Sequence, residues 1–303
     1  MSQTNTDTRL EQRRKLRTEY LKLLNFKMTV HESGGSAIVE GPGLTHDDFD
    51  MNGMLRPWKL LKMLEAVRFF AHHYPLDEDG HTFRDYAAIT DNRLTFLSSC
   101  EFTMNRELYD HRVPKSSLRV RLESAYVGTS SANTKAVIIS SVDQKILFTN
   151  VNQVVSIDRS TRKPMPLPEW WRNKYSEFSK GHASLIFPKF EKKPNAACYQ
   201  VKVAWSDTDF NNHTNWTSYL RFAVDGGHHC SDEGFLPNFE KNYKVGIKNI
   251  QIRYAGESHE GDILDVYVWQ DDEKSELLYV DIHRGKESIF QTTIEFLQPK
   301  PSL

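Results

Sequence analysis

In the second half of this chain the hydrophobic period switches from alternating to helical and back again. Val201, Val203 and Trp205 alternate with polar residues as in a half-buried strand, and then Trp216, Tyr219, Leu220, Phe222 and Ala223 recur at helical spacing over residues 216–224. Gly226-Gly227 is the expected stop of that helix. Four alternating runs follow: Ile250, Ile252 and Tyr254; Leu264, Val266 and Val268; Leu278, Val280 and Ile282; and Phe290, Thr292, Ile294 and Phe296. Turn-forming segments such as Gly285-Lys286-Glu287 separate them. A helix this apolar needs a sheet face to cover it, so the pattern predicts a curved antiparallel sheet wrapped around one long helix.

The first half repeats the order more faintly. Ala37 to Val39 reads as a short strand, residues 55–70 as the helix, and residues 118–122, 136–139 and 146–157 as later strands, with residues 85–109 as extra sequence. The loop before each helix carries the same polar motif: Asp48, Asp50 and Asn52 in the first copy, Asp207, Asp209 and Asn211 in the second. Only the second copy adds an imidazole, His213, where the first has Met54. The expected organisation is a basic N-terminal helix or arm over 1–30, a first unit over 31–158, a connection over 159–195 and a second unit over 196–303. The connection holds Trp170-Trp171, and adjacent tryptophans predict a segment packed across both units rather than a free tether.

A length of 303 residues with 39% hydrophobic and 26% charged positions suits two domains of about 150 residues. The net charge of -1 argues against a nucleic-acid binder or an anionic-membrane binder, which needs a concentrated excess of Lys and Arg. Cys100, Cys198 and Cys230 are odd in number and far apart, as in a reduced intracellular protein. No apolar run approaches the roughly 20 residues of a membrane span. The expected compartment is the cytoplasm. The basic segment 9–26 keeps organelle targeting as the alternative, although Asp7, Glu11 and Glu19 are unlike a transit peptide. Pro301-Ser302-Leu303 is not a peroxisomal Ser-Lys-Leu signal.

The paired D-x-D-x-N motifs resemble the start of a calcium loop, but the twelfth positions are Lys59 and Ser218, where a bidentate Glu is required. His228-His229-Cys230 points its three side chains in different directions and has no partner cluster, so it reads as a helix end. His213 is different. It stands among Asn211, Asn212 and Asn215 in a loop entering a helix N-terminus, whose free N–H groups and positive dipole suit a carbonyl oxygen that gains negative charge. A polar segment, Tyr254-Ala-Gly-Glu257-Ser258-His259-Glu260-Gly261-Asp262, ends one of the later strands.

At these residues the chain resembles the acyl-ACP thioesterases, a double-hotdog branch of the hotdog thioesterase superfamily. Their D-x-D-x-N-x-H-x-N-N motif is matched by Asp207, Asp209, Asn211, His213 and Asn215, with Trp216 in place of the last Asn. Their Tyr-x-x-Glu-Cys segment is matched by Tyr254 and Glu257, with Ser258 in place of Cys. The resemblance implies an α+β tandem (double) hotdog, each half a long helix wrapped by a curved antiparallel β-sheet. It implies a catalytic set of Asp209, Asn211, His213 and Glu257, with Asn215, Trp216 and Ser258 beside the substrate and no metal or cofactor.

Water activated by Glu257 and His213 would attack the thioester of a fatty acyl chain carried by acyl carrier protein or coenzyme A. The first copy has no imidazole, and aligning its strands sets Ala125 opposite Glu257. It would therefore form the apolar acyl-chain pocket, with Met54, Trp58, Leu61 and Met63 near that chain or in the core. The competing readings are a hotdog enoyl-thioester hydratase, whose D-x-N-P-x-H motif places the His one residue later, and a non-catalytic acyl-thioester binding protein. Because single hotdogs pair, an internal duplication predicts a monomer or a homodimer.

Overall fold

The computed structural model describes residues 19–299 apart from 22, 25, 42, 91, 92, 116 and 210. Most of the expected N-terminal arm and the C-terminal Pro301-Ser302-Leu303 lie outside the described residues. The first half runs β1 (Lys27–Val30), β2 (Ser36–Gly41), α1 (Pro57–His73), α2 (Tyr86–Thr90), β3 (Arg93–Met104), β4 (Leu118–Val127), β5 (Ser131–Ser140) and β6 (Ile146–Asp158). A connection bearing α3 (Glu169–Tyr175) leads to β7 (Ala197–Lys202), α4 (Trp216–Asp232) and α5 (Phe239–Val245). The chain ends with β8 (Ile247–Tyr254), β9 (Ile263–Gln270), β10 (Leu277–Arg284) and β11 (Glu287–Phe296).

Among the described residues eleven strands form one sheet in the order β1-β2-β4-β5-β6-β3-β8-β11-β10-β9-β7, and every pairing between them is antiparallel. The order is a palindrome about the β3–β8 seam, so β2, β4, β5, β6 and β3 answer to β7, β9, β10, β11 and β8. Each half wraps its own long helix, and the two helices also touch each other. One continuous core joins Leu60, Leu61, Leu64 and Val67 of α1 to Leu220, Phe222, Ala223 and Val224 of α4. The duplication is legible hydrogen bond by hydrogen bond. Asp50 N donates to Met54 O at 2.8 Å and Asp209 N to His213 O at 2.9 Å; Arg56 N donates to Asp48 O at 2.9 Å and Asn215 N to Asp207 O at 2.7 Å.

Four expectations from the sequence are corrected. Residues 85–109 are not extra sequence: they hold β3, the strand that pairs with β8 and joins the halves. A bulge between Leu97 and Ser99 breaks its alternation, and both its edges are paired, so its polar residues sit inside the sheet rather than marking a loop. Ala125 lies in β4 and is not the counterpart of Glu257. That position falls to Glu107, because Asn105 N donates to Leu147 O as Ala255 N donates to Ile289 O, and each Glu follows two residues later.

The helix α4 runs straight through Gly226-Gly227 to Asp232. A Cβ at Gly226 would meet Val266 at 2.9 Å and one at Gly227 would meet Phe239 at 2.6 Å, so these glycines allow close packing rather than ending the helix. Trp205 leaves the strand pattern as well: it is 77% exposed, in a tight turn after β7 has ended.

The connection packs over both halves. Trp171 is buried and donates its Nε1–H to Arg84 O at 2.7 Å in the first half, while Phe190 meets Trp269 and Tyr279 edge-on in the second. Trp170 beside it stays half-exposed. Trp171→Ala is expected to cost about 3–5 kcal/mol, the range for emptying a buried tryptophan site, read as a lower denaturation midpoint with an unchanged denaturant slope.

Candidate active site

Local folding places the candidate residues before any chemistry enters. Asp209 shapes the loop through its Oδ1, which accepts the Asn211 N–H at 2.7 Å, and Asn212 turns the chain with a left-handed φ of 62°. Asp207, buried and ion-paired to Arg221, caps the preceding turn by accepting the Ala204 N–H at 3.0 Å. Asn215 then caps α4, its Oδ1 accepting from Thr217 N at 2.9 Å and Thr217 Oγ1 at 2.6 Å. The loop between these anchors presents His213, half-buried and edge-on to His259 at 5.0 Å between ring centroids.

Glu257 comes to His213 from beyond the end of β8. Its Oε2 lies 3.6 Å from His213 Nε2, an ion-pair separation longer than a hydrogen bond. Arg162, at the start of the connection, grips the same carboxylate with Nη2 at 2.9 Å and 3.1 Å, and lies over the Phe96 ring at 4.7 Å. Arg284 donates to the Glu257 carbonyl oxygen at 2.6 Å. A carboxylate offers about four lone-pair sites, so the bond to Arg162 leaves acceptor capacity for a water molecule.

Ser258 is fully buried and cannot face a substrate, which corrects the expected role. Its Oγ lies 2.7 Å from Thr214 Oγ1 and 2.9 Å from the Tyr219 hydroxyl, and its N–H donates to that hydroxyl at 2.9 Å. These bonds tie the Glu257 turn to the His213 loop and to α4.

Asn211 is exposed at the loop tip. Met54 and Trp58 are partly buried against the core in the first copy's own loop and helix. Trp58 lies on α1 seven residues, about 10 Å along the axis, before Glu65, the residue of that helix that bonds Asn215.

Glu65 is the residue that the sequence pattern missed. It reaches from α1 to the start of α4, accepting from Asn215 Nδ2 at 3.1 Å and 3.2 Å and from Trp216 Nε1 at 3.0 Å. Burial pushes its carboxyl above the ordinary 4.5, and the bonds from Asn215 and Trp216 oppose that rise. Ionising Glu65 therefore costs the folded state stability as pH climbs from below 4.5 through the raised value. Glu65→Gln is expected to remove that pH slope. Glu65→Ala, which strands two donors, is expected to lower turnover roughly tenfold or more, as loss of charge-assisted bonds does. Stability curves at several pH values and steady-state kinetics check the two.

No protein-family model matches the chain, and no curated protein matches it in sequence. Solved structures do match. An acyl-ACP thioesterase from Bacteroides thetaiotaomicron superposes with a TM-score of 0.62 at 18% identity, covering 86% of this chain and 98% of that one. The 12:0-ACP thioesterase from Umbellularia californica gives 0.65 at 12% identity, covering 89% and 99%. The chain has a double-hotdog fold. At these identities the likeness is one of fold, and it extends over nearly the whole of each acyl-ACP thioesterase. Within the double hotdog, the His213–Glu257 couple stands at the entrance to α4, beside the seam. Neither Arg162 nor Glu65 belongs to the motifs that pointed to the site.

Proposed function

We propose that this chain is a thioester hydrolase of the acyl-ACP thioesterase family, acting on acyl groups carried by acyl carrier protein or coenzyme A. The observation that carries the reading is the meeting of His213 and Glu257, 44 positions apart in sequence, at 3.6 Å beside a capped helix N-terminus. Glu257 takes a proton from water as the water oxygen bonds to the thioester carbon. The carbonyl oxygen gains negative charge, and the C–S bond then breaks. The leaving sulfur receives a proton, delivered by His213, and departs as the thiol.

Asp209 acts through the loop, by fixing the backbone that carries His213. Because Thr217 N–H goes to Asn215 Oδ1 and Ser218 N–H to Asn215 O, the carbonyl oxygen would meet the Trp216 N–H at the helix end, with the Asn211 side chain free to turn toward it. The β3–β8 seam supplies within one chain the pairing that single hotdogs find between chains, which supports a monomer as the working unit. No described helix is long and apolar enough to cross a membrane.

The test is thiol release from parallel panels of acyl-CoA and acyl-ACP thioesters. Release from one panel or both supports the hydrolase and names the carrier. Tight binding without release would move the chain to a thioester-binding role, and hydration of an enoyl thioester would make it a hydratase.

A further inference from the structure

Among the described residues, twelve buried side-chain polar atoms have no hydrogen-bond partner, and eleven of them belong to the first half. Native proteins leave few such atoms, and a concentration of them calls for an explanation. Four are guanidinium nitrogens: Nε and Nη1 of Arg68, and Nε and Nη2 of Arg84. Arg68 is 7% exposed and Arg84 3%. Both converge on Thr134, Arg68 donating to its carbonyl oxygen at 3.4 Å and Arg84 to its Oγ1 at 2.7 Å.

The carboxylates nearest to them in sequence are engaged elsewhere. Glu65 holds Asn215 and Trp216, and Asp85 is bonded by Lys174 at 2.7 Å and Tyr175 at 3.0 Å. Two buried positive charges thus face one point without a counter-charge, an arrangement that is strongly unfavourable unless an anion joins it.

The sheet beneath is built to match. Ser124, Thr134, Asn152 and Cys100 are directly opposite one another on β4, β5, β6 and β3, a polar row on the face that looks at α1, and the row turns apolar at Ile252 of β8. Ser124 Oγ and Asn152 Oδ1 in that row are also unpartnered. Arg84 is held from outside by the rings of Trp171 at 5.0 Å and Tyr175 at 5.9 Å. It and Asp85 both take left-handed backbone, at φ of 62° and 45°, an unfavourable conformation that aims Arg84 inward. Burial lowers each guanidinium to about 10, which leaves both charged at neutral pH.

We propose that Arg68 and Arg84 bind a carboxylate at the far end of the acyl group, so that the thioesters this chain hydrolyses are those of dicarboxylic acids; this rests on the hydrolase reading above. The fork of a guanidinium matches a carboxylate in two-point contact. Position favours the acyl tail over a free anion. Arg68 lies three residues beyond Glu65 on α1, about 5 Å along the axis, and Glu65 touches the first turn of α4. Partly buried Tyr254 lies in the interval, its hydroxyl donating to Trp216 O at 3.2 Å while its surroundings include Cys100 and Glu65. The cluster therefore lies about one helical turn from the residue that reaches the start of α4, and the first half, expected to form a wholly apolar pocket, carries a buried polar cluster.

The test compares kcat/KM for succinyl, glutaryl, adipyl and suberyl thioesters with butyryl, valeryl, hexanoyl and octanoyl thioesters of the same carrier. One or more carboxylate-ended chains should exceed its methyl-ended equivalent by at least tenfold, and Arg68→Met should collapse that ratio. Calorimetric titration of the intact wild-type chain with adipate and with hexanoate reads the site without turnover or a variant, so it separates failure of this proposal from failure of the hydrolase reading. Adipate should bind more tightly and compete with the acyl thioester. Equal kinetics for both series together with equal binding of the two acids would overturn the proposal and assign the cluster to ordered water. Adipate binding that does not compete would overturn it in favour of a free-anion site.

Discussion

Glu257→Gln is expected to slow thiol release by roughly 100- to 10,000-fold at saturating substrate, the range that a positioned general base contributes. The amide keeps the size of the side chain but cannot take a proton from water. Stability should hardly change. The bond that the substitution weakens joins two side chains that are 47% and 29% exposed, and such surface pairs contribute about 0–1 kcal/mol. A variant that keeps its melting temperature and loses turnover separates chemistry from folding, and calorimetry beside the kinetic assay reads both.

His213→Met gives the second copy the side chain that Met54 already supplies in the first. The loss expected is again about 100- to 10,000-fold in turnover. His259, edge-on to His213 at 5.0 Å, does not replace it, because its backbone is fixed by Asp262 at 2.9 Å in the following turn. The informative comparison is the double variant with Glu257→Gln. Groups that act as a unit are strongly non-additive, so the double variant should be about as slow as the slower single variant. Multiplied losses would mean that the two residues contribute independently of each other.

The second half was legible from sequence because its periods are clean: β8 to β11 follow the alternating runs, and α4 begins where Asn215 caps it. The first half was half-legible. Its D-x-D-x-N loop folds with the same backbone bonds as the second, but the bulged β3 hid the joint of the two units, and without β3 the counterpart of Glu257 was sought in β4 instead of at Glu107. Gly226-Gly227 misled for a different reason. Glycine ends helices and also lets them pack closely, and only the neighbours Val266 and Phe239 show which use applies.

Of the site, the sequence motifs carried His213, Glu257 and Asp209. Arg162 and Glu65 were out of reach, since they meet Glu257 and Asn215 across 95 and 150 positions, Arg162 from the connection and Glu65 from the first half. Ser258 was visible as a substitution at a motif position. Its burial against Thr214 and Tyr219 could only come from the fold. Arg68 sits within the apolar spacing of α1, where a single charged residue on a helix is ordinarily solvated; a polar row spread over four strands is what makes it an interior charge.

The most direct measurement is a single turnover of an acyl thioester by excess wild-type protein in water enriched in heavy oxygen, with thiol release and the mass of the product acid followed together. The account predicts thiol release with one heavy oxygen in the acid from the first turnover, and none on the same timescale from Glu257→Gln. Absence of release from every thioester tried, or a first-turnover acid carrying only ordinary oxygen, would contradict it.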